Sequence, residues 1–245
     1  GKIAGISRRF PISGAVVVIS GLVIGVLGGV LVKLGNPPNM GICIACFERD
    51  IAGALGLHQV AVVQYLRPEI MGFVLGACLA SLILGEFKQR SGSSPLIRFL
   101  IGVLVMIGAL VFLGCPVRAI LRLGGGDLNG LTGLLGIATG AFIGVLFLRH
   151  GFSLGRSYKT PPITGWVIPG LMVGLLLLAI FQPSFIFISQ KGPGAMHALL
   201  PISLVAGLVI GFLAQRSRIC FVGGIRDLFL IGNPHLFNGM IAALV

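Results

Sequence analysis

Thiols and fixed charges are the scarce chemistry of this chain, and it writes one arrangement of them twice. Ile42-Cys43, five residues and Arg49-Asp50 recur 177 residues later as Ile219-Cys220, five residues and Arg226-Asp227. A third cysteine stands in Gly114-Cys115-Pro116. Each of the three follows a long apolar run and precedes a stretch suited to a short helix. A helix start presents free N–H groups and partial positive charge, which draw an anion. A thiol is a soft, weak donor, matched to a polarizable sulfur or selenium atom on a solute. The plainer reading is that cysteine is a small apolar residue that membrane helices tolerate anywhere. The repetition argues against it for Cys43 and Cys220.

The other candidates surround these thiols. Cys46 completes Cys43-Ile44-Ala45-Cys46, a C-x-x-C at a helix start that reads as a redox pair. The second copy has Gly223 at the matching position, so this pair is not repeated. Arg49-Asp50 and Arg226-Asp227 are expected to be structural charge pairs, each neutralising itself while pinning a short helix. Arg118 and Arg122 lie one turn apart after Cys115, with no acid before Asp127, and are the better candidates for a positive lining of an anion path. Cys78 reads as packing. His58, His150, His197 and His235 share no spacing and receive no role. No metal site is expected, since a structural zinc site usually shows two C-x-x-C knuckles and only one is present. No cofactor is expected either, and the triple glycine before Asp127 lacks the Lys-Ser/Thr of a phosphate loop.

The elements that must position these residues are membrane helices. With 56% hydrophobic and 10% charged residues and a mean hydropathy of +1.07, the chain lacks the polar surface to cover a soluble globule. The net charge of +12 is dispersed between apolar runs without Lys/Arg blocks, which excludes nucleic acid as a partner. Spans are predicted over 14–32, 70–85, 99–113 and 128–148. A fifth lies between Lys159 and Lys191, a sixth runs over 192–215, and a seventh starts near Leu228 and is cut off at Val245. Gly35-Asn36-Pro37-Pro38-Asn39-Met40-Gly41 cannot continue a helix. The stretch 42–57 after it is too short and polar to span, which predicts a re-entrant segment lining a cavity.

Shifting the first span by 177 residues places it on the sixth, and five spans separate the two starts. An odd number predicts an inverted repeat, an architecture common in transporters. The expected organisation is a first unit over 1–159 with four spans and two re-entrant segments, a central connecting span over 160–191, and the beginning of an inverted second unit over 192–245. The fold class expected is therefore an all-α polytopic membrane protein with inverted repeats and re-entrant short helices. The chain opens without Met and stops inside an apolar run, which reads as trimming at both ends. Lys2, Arg8, Arg9, Lys88, Arg90, Arg98, Arg149, Arg156 and Lys159 fall on the side of the amino terminus. Lys33, Arg67 and Lys191 fall opposite, so the amino terminus is expected in the cytoplasm.

At these motifs the chain resembles the YeeE/YedE family of sulfur-compound transporters. Gly35 to Cys43, Gly114-Cys115-Pro116, and Arg218-Ile219-Cys220-Phe221 through Arg226-Asp227 look most like its YedE branch, associated with selenium metabolism. The resemblance implies a compact helical protein of the inner membrane that takes up a selenium compound or thiosulfate. It also implies re-entrant helices meeting near mid-membrane and cysteines that pass the anion along by S–H hydrogen bonds. By position in the motifs, that role falls on Cys43, Cys115 and Cys220, with Cys46 departing from one thiol per break. The partners expected are a small inorganic anion, the lipid bilayer and a cytoplasmic sulfur or selenium carrier protein. No enzymatic activity is expected. Two other readings stay open: a membrane redox or chalcogen-carrier protein using Cys43 and Cys46, and a structural membrane subunit whose thiols are replaceable.

Overall fold

The structure is a computed structural model that describes residues 13–244; Lys2, Arg8 and Arg9 lie outside the described residues. Helix α1 (Gly14–Lys33) is capped by Ser13, whose hydroxyl accepts from the Val16 N–H, and carries Lys33 in its last turn. A ten-residue connection leads to the short helix α2 (Ile44–Ala54). Next come α3 (Pro68–Ile83), α4 (Pro95–Val111) and the short α5 (Pro116–Gly124), each with proline at its first position, where no N–H is needed. Then follow α6 (Asn129–Arg149), α7 (Val167–Phe181), α8 (Leu200–Ser217), the short α9 (Phe221–Ile231) and α10 (His235–Ala242). Two short strands, β1 (Arg90–Ser91) and β2 (Tyr158–Lys159), pair antiparallel and tie the basic connections before α4 and after α6 together.

The chain is an all-α polytopic membrane protein. Four helical stretches among the described residues are long and apolar enough to cross a bilayer: Gly14–Lys33, Pro95–Gly124, Asn129–Arg149 and Leu200–Ile231. Two of these are bent, at Leu113 and Arg218, non-glycine residues held in the left-handed region at φ 55° and 57°. Such a residue ends a helix, and each of the two stands two positions before a cysteine that starts the next one. Helix α4 has no buried residue, and Phe99, Leu100, Leu104 and Val105 lie open on it, as lipid-facing side chains do.

Close glycine contacts fix the helix pairs. Gly72 and Gly76 on α3, and Gly207 and Gly211 on α8, sit four residues apart, the small-xxx-small spacing that lets two backbones approach. A Cβ on Gly211 would overlap the Phe73 carbonyl oxygen, and one on Gly76 that of Leu208. These contacts advance together along both helices, so α3 and α8 run in the same direction. Helices α1 and α8 run oppositely: Asn36 just after α1 bonds Ala198 just before α8, while Ile24 and Ile210 meet further along. Gly211→Ala is expected to destabilise the protein by about 1–3 kcal/mol, because neither backbone can yield to the new methyl; thermal unfolding of the purified protein measures it.

The register of the repeat holds for the short helices and is looser for the spans. Helix α9 occupies the positions of α2 shifted by 177, and both are 11 residues long. Helix α8 does not coincide with shifted α1, because three residues join α8 to α9 whereas α1 is followed by the Gly35–Gly41 turn. The helix expected to start near Leu228 starts later, at His235. Leu228 lies inside α9, which ends at Gly232 (φ 68°), and α10 begins at His235.

Candidate functional site

Each of the three repeated or motif cysteines is the N-cap residue of a short helix: Cys43 of α2, Cys115 of α5 and Cys220 of α9. Cys43 and Cys220 share one backbone conformation, φ/ψ −146°/102° and −145°/113°. Each turns its sulfur back over its own helix, accepting from the Cys46 N–H at 3.4 Å and from the Gly223 N–H at 3.3 Å. The starts of all three helices converge on one cavity of about 240 Å³. Ile44 of α2, Pro116 and Val117 of α5, and Phe221 and Val222 of α9 line it. Its polar side chains are Cys115, Cys220 and Glu69; the rest of the wall is apolar, including Phe47 and Phe73.

Cys43 and Cys46 are fully buried behind that wall, and Cys115 is 6% exposed. The Cys43 thiol lies within hydrogen-bonding reach of both Cys115 and Cys46. Cys115 also faces the backbone N–H groups of Ile44 and Ala45 at the start of α2. Three thiols thus form a chain from the cavity into the interior, and Cys220 stands on the cavity's exposed side. Cys78 lies on α3, away from this cluster. Among the described residues no group of three His, Cys, Asp or Glu is placed to hold a metal ion.

The arginines after Cys115 do not line the cavity. Arg118 donates to the Asn39 carbonyl at 2.9 Å and to the Cys46 sulfur at 3.2 Å, tying α5 to the α1–α2 connection. Arg122, on the same helix face, pairs with Asp127 at 2.7 Å across the end of α5 and lies over the Phe112 ring. Their placement follows from helical spacing: residues four apart share a face, and this face turns away from the cavity. The positive groups at the cavity are therefore helix starts rather than side-chain cations.

The two repeated charge pairs differ in depth. Arg226–Asp227 closes on itself at 2.7 Å with the arginine half exposed. Asp50 is fully buried and binds two arginines, Arg49 at 2.7 Å and Arg67 at 2.8 Å. Arg67, expected from sequence to flank a span on the outer side, is instead fully buried. It also donates to the carbonyls of Pro193 and Met196 and lies over the rings of Phe47 and Tyr65. Tyr65 in turn stacks on His197 at 4.0 Å. This network fastens α2 and the start of α3 to the segment before α8.

Sequence reasoning also missed Asn36 and Glu69. The Asn36 amide donates to the Gly41 carbonyl and to Glu69 Oε1, both at 3.0 Å, and accepts from the Ala198 N–H at 2.9 Å. Ser203 on α8 gives Glu69 Oε1 a second bond at 2.9 Å. The available signal was the run Arg67-Pro68-Glu69, two charges around a helix-starting proline in a chain with six acids.

Comparison with known proteins gives partial likenesses. No protein-family model matches the chain, and no solved structure does. Over 49 residues, 20% of the chain, it is 33% identical to the thiosulfate transporter TsuA of Escherichia coli, a stretch that spans only 14% of that protein. Over 204 residues, 78% of the chain and 70% of the relative, it is 22% identical to undecaprenyl-diphosphatase 2 of Clostridioides difficile. Over 96 residues, 33% of the chain, it is 32% identical to the uncharacterized protein MJ1590 of Methanocaldococcus jannaschii, 91% of which is covered. With nearly the whole of that relative aligned at this identity, the chain belongs to one family with MJ1590.

Proposed function

We propose that this membrane protein takes up a small sulfur- or selenium-containing anion through the cavity at which α2, α5 and α9 begin. The observation that carries the reading is the convergence of three helix starts on one cavity, with Cys115 and Cys220 on its wall and Cys43 behind Cys115. Free N–H groups and helix dipoles stabilise an anion there, and weak S–H donors replace part of its hydration. Binding through such donors is weak enough to release the ion again, as conduction through several sites requires. In this reading α2, α5 and α9 are re-entrant helices, the two units are inverted repeats, and the amino terminus faces the cytoplasm from the inner membrane. A cytoplasmic sulfur or selenium carrier protein receives the solute. Thiosulfate is the first solute to test, given the local likeness to TsuA; the YedE-like motifs make a selenium compound the second.

The likeness to a diphosphatase is a poorer guide to the site. No arginine or lysine lines the cavity, and a diphosphate carries more charge than helix starts alone match. The protein is accordingly read as a transporter and not as an enzyme.

The test is uptake of labelled thiosulfate and selenite by vesicles containing the full-length protein. Saturable uptake is expected, and it disappears when Cys43, Cys115 and Cys220 are all alanine; uptake unchanged in that triple variant contradicts the proposal. Single variants separate the redox reading. Cys46→Ala removes a partner of Arg118 and of Cys43 but no group on the cavity wall, and is expected to lower uptake about threefold, a loss within the roughly 0.5–1.5 kcal/mol of one hydrogen bond. Loss equal to that of Cys43→Ala, together with a trappable Cys43–Cys46 disulfide, would favour a chalcogen carrier.

A further inference from the structure

The cavity holds one group that anion passage does not explain. Of the six acidic residues in the chain, Asp50, Glu86, Asp127 and Asp227 are ion-paired, and Glu48 lies exposed. Glu69 alone is buried without a cation, 4% exposed, on the wall of the cavity. Its Oε1 accepts from Asn36 and Ser203, whereas its Oε2 has no hydrogen-bond partner among the described residues. One oxygen of this carboxyl is thus fixed by two donors, and the other is enclosed without a partner. A buried carboxylate without a counter-charge is costly, and a second negative charge entering the same apolar cavity raises that cost further.

No side-chain cation faces Glu69, which stands in the first turn of α3, so an anion entering the cavity meets a negative charge that an accompanying proton would neutralise. Arg67, two residues earlier, is committed to Asp50 and to two carbonyls. From the α1–α2 connection the facing group is Asn36, and from α8 it is Ser203. Cys115 and Cys220 face the cavity from the starts of α5 and α9, and α2 contributes Ile44 and Phe47. Helix α7 carries no titratable residue. Tyr65 and His197 are stacked on each other beside Arg67. A bound metal cation would need several oxygens, and the cavity wall supplies only this carboxyl.

We propose that Glu69 is the proton-carrying group of the cavity, donating O–H from Oε2 to the bound anion so that one proton accompanies each solute. This rests on the transport reading above. The O–H bond forms with a proton from water on the entry side and breaks to water as the solute leaves; no bond to the solute is made. Ionisable residues inside a membrane face the bundle interior or a cavity and mark ion and proton pathways, and Glu69 is placed in that way.

Two measurements on the full-length protein decide it. Infrared difference spectroscopy of the purified protein is expected to show, on adding thiosulfate, a protonated-carboxyl C=O band that is absent from Glu69→Gln. In proteoliposomes with the membrane voltage clamped at zero, thiosulfate uptake is expected to acidify the lumen. A one-unit inward pH gradient should then raise accumulation about tenfold, the ratio set by one coupled proton. Glu69→Gln loses both responses. Thiosulfate uptake by the wild type with no luminal pH change, or a missing infrared band, would overturn the proposal whether or not the variant folds. The band present with no thiosulfate uptake at all would uphold the proton site and refute the transport reading instead.

Discussion

Asp50→Ala is expected to lower the stability of the folded protein by about 3–5 kcal/mol, the cost of leaving a buried charge without its partner. Arg67 is fully buried, and Asp50 is the carboxylate that neutralises it. Its other contacts, two carbonyls and two aromatic rings, orient the guanidinium but do not cancel its charge. For a chain of this length the loss corresponds to a melting temperature lower by roughly 10 °C, read by thermal unfolding in detergent. The repeat supplies its own control. Asp227→Ala removes the equivalent acid from a pair whose arginine is 50% exposed, and is expected to cost no more than about 1 kcal/mol. Replacing Asp50 and Arg67 together by leucine and methionine should recover much of the loss, because the buried charge and its desolvation leave together. Equal sensitivity of the two aspartates would contradict the buried network.

The second large effect is on transport. Cys115→Ala is expected to reduce thiosulfate uptake by roughly 10- to 100-fold, the equivalent of one hydrogen bond to a charged group at about 1.5–3 kcal/mol. Cys115 both touches the cavity and reaches Cys43, so its loss would open the proposed relay at its middle. Cys115→Ser keeps a donor and should retain part of the rate. Cys78→Ala, remote from the site, should leave uptake and stability as they are. A Cys115→Ala protein that folds and transports normally would remove the thiols from the mechanism.

The part of the site legible in the sequence is the part written locally. Cysteine is rare here, and a cysteine before a short helix in the same frame as an Arg-Asp pair is a pattern that survives folding unchanged. Helices α2 and α9 reproduce it with the same length and nearly the same capping dihedrals. The breaks before Cys115 and Cys220 were likewise visible from Gly114 and Pro116, and from the charged run Arg216 to Arg218. What the sequence could not display are partners that only the packing brings together. Arg67 reads as a charge flanking a span, yet its acceptors lie 17 residues away at Asp50 and about 130 away at Pro193 and Met196. Glu69 reads as the boundary of a helix until α8 delivers Ser203 to it. Arg122 appeared unpaired because Asp127 follows three glycines, and only the turn at the end of α5 shows that the two meet. The glycine spacing on α3 and α8 was in plain view, but a small-xxx-small run does not name its partner helix.

The central claim is that an anion sits where three short helices begin. It is tested most directly by diffraction from crystals of the full-length protein soaked in selenosulfate, in which selenium replaces the outer sulfur of thiosulfate. The selenium anomalous signal is expected inside the cavity, within hydrogen-bonding reach of Cys115 or Cys220 and facing the first N–H groups of α2, α5 or α9. A selenium peak elsewhere in the protein, with this cavity empty at saturating solute, would contradict the account.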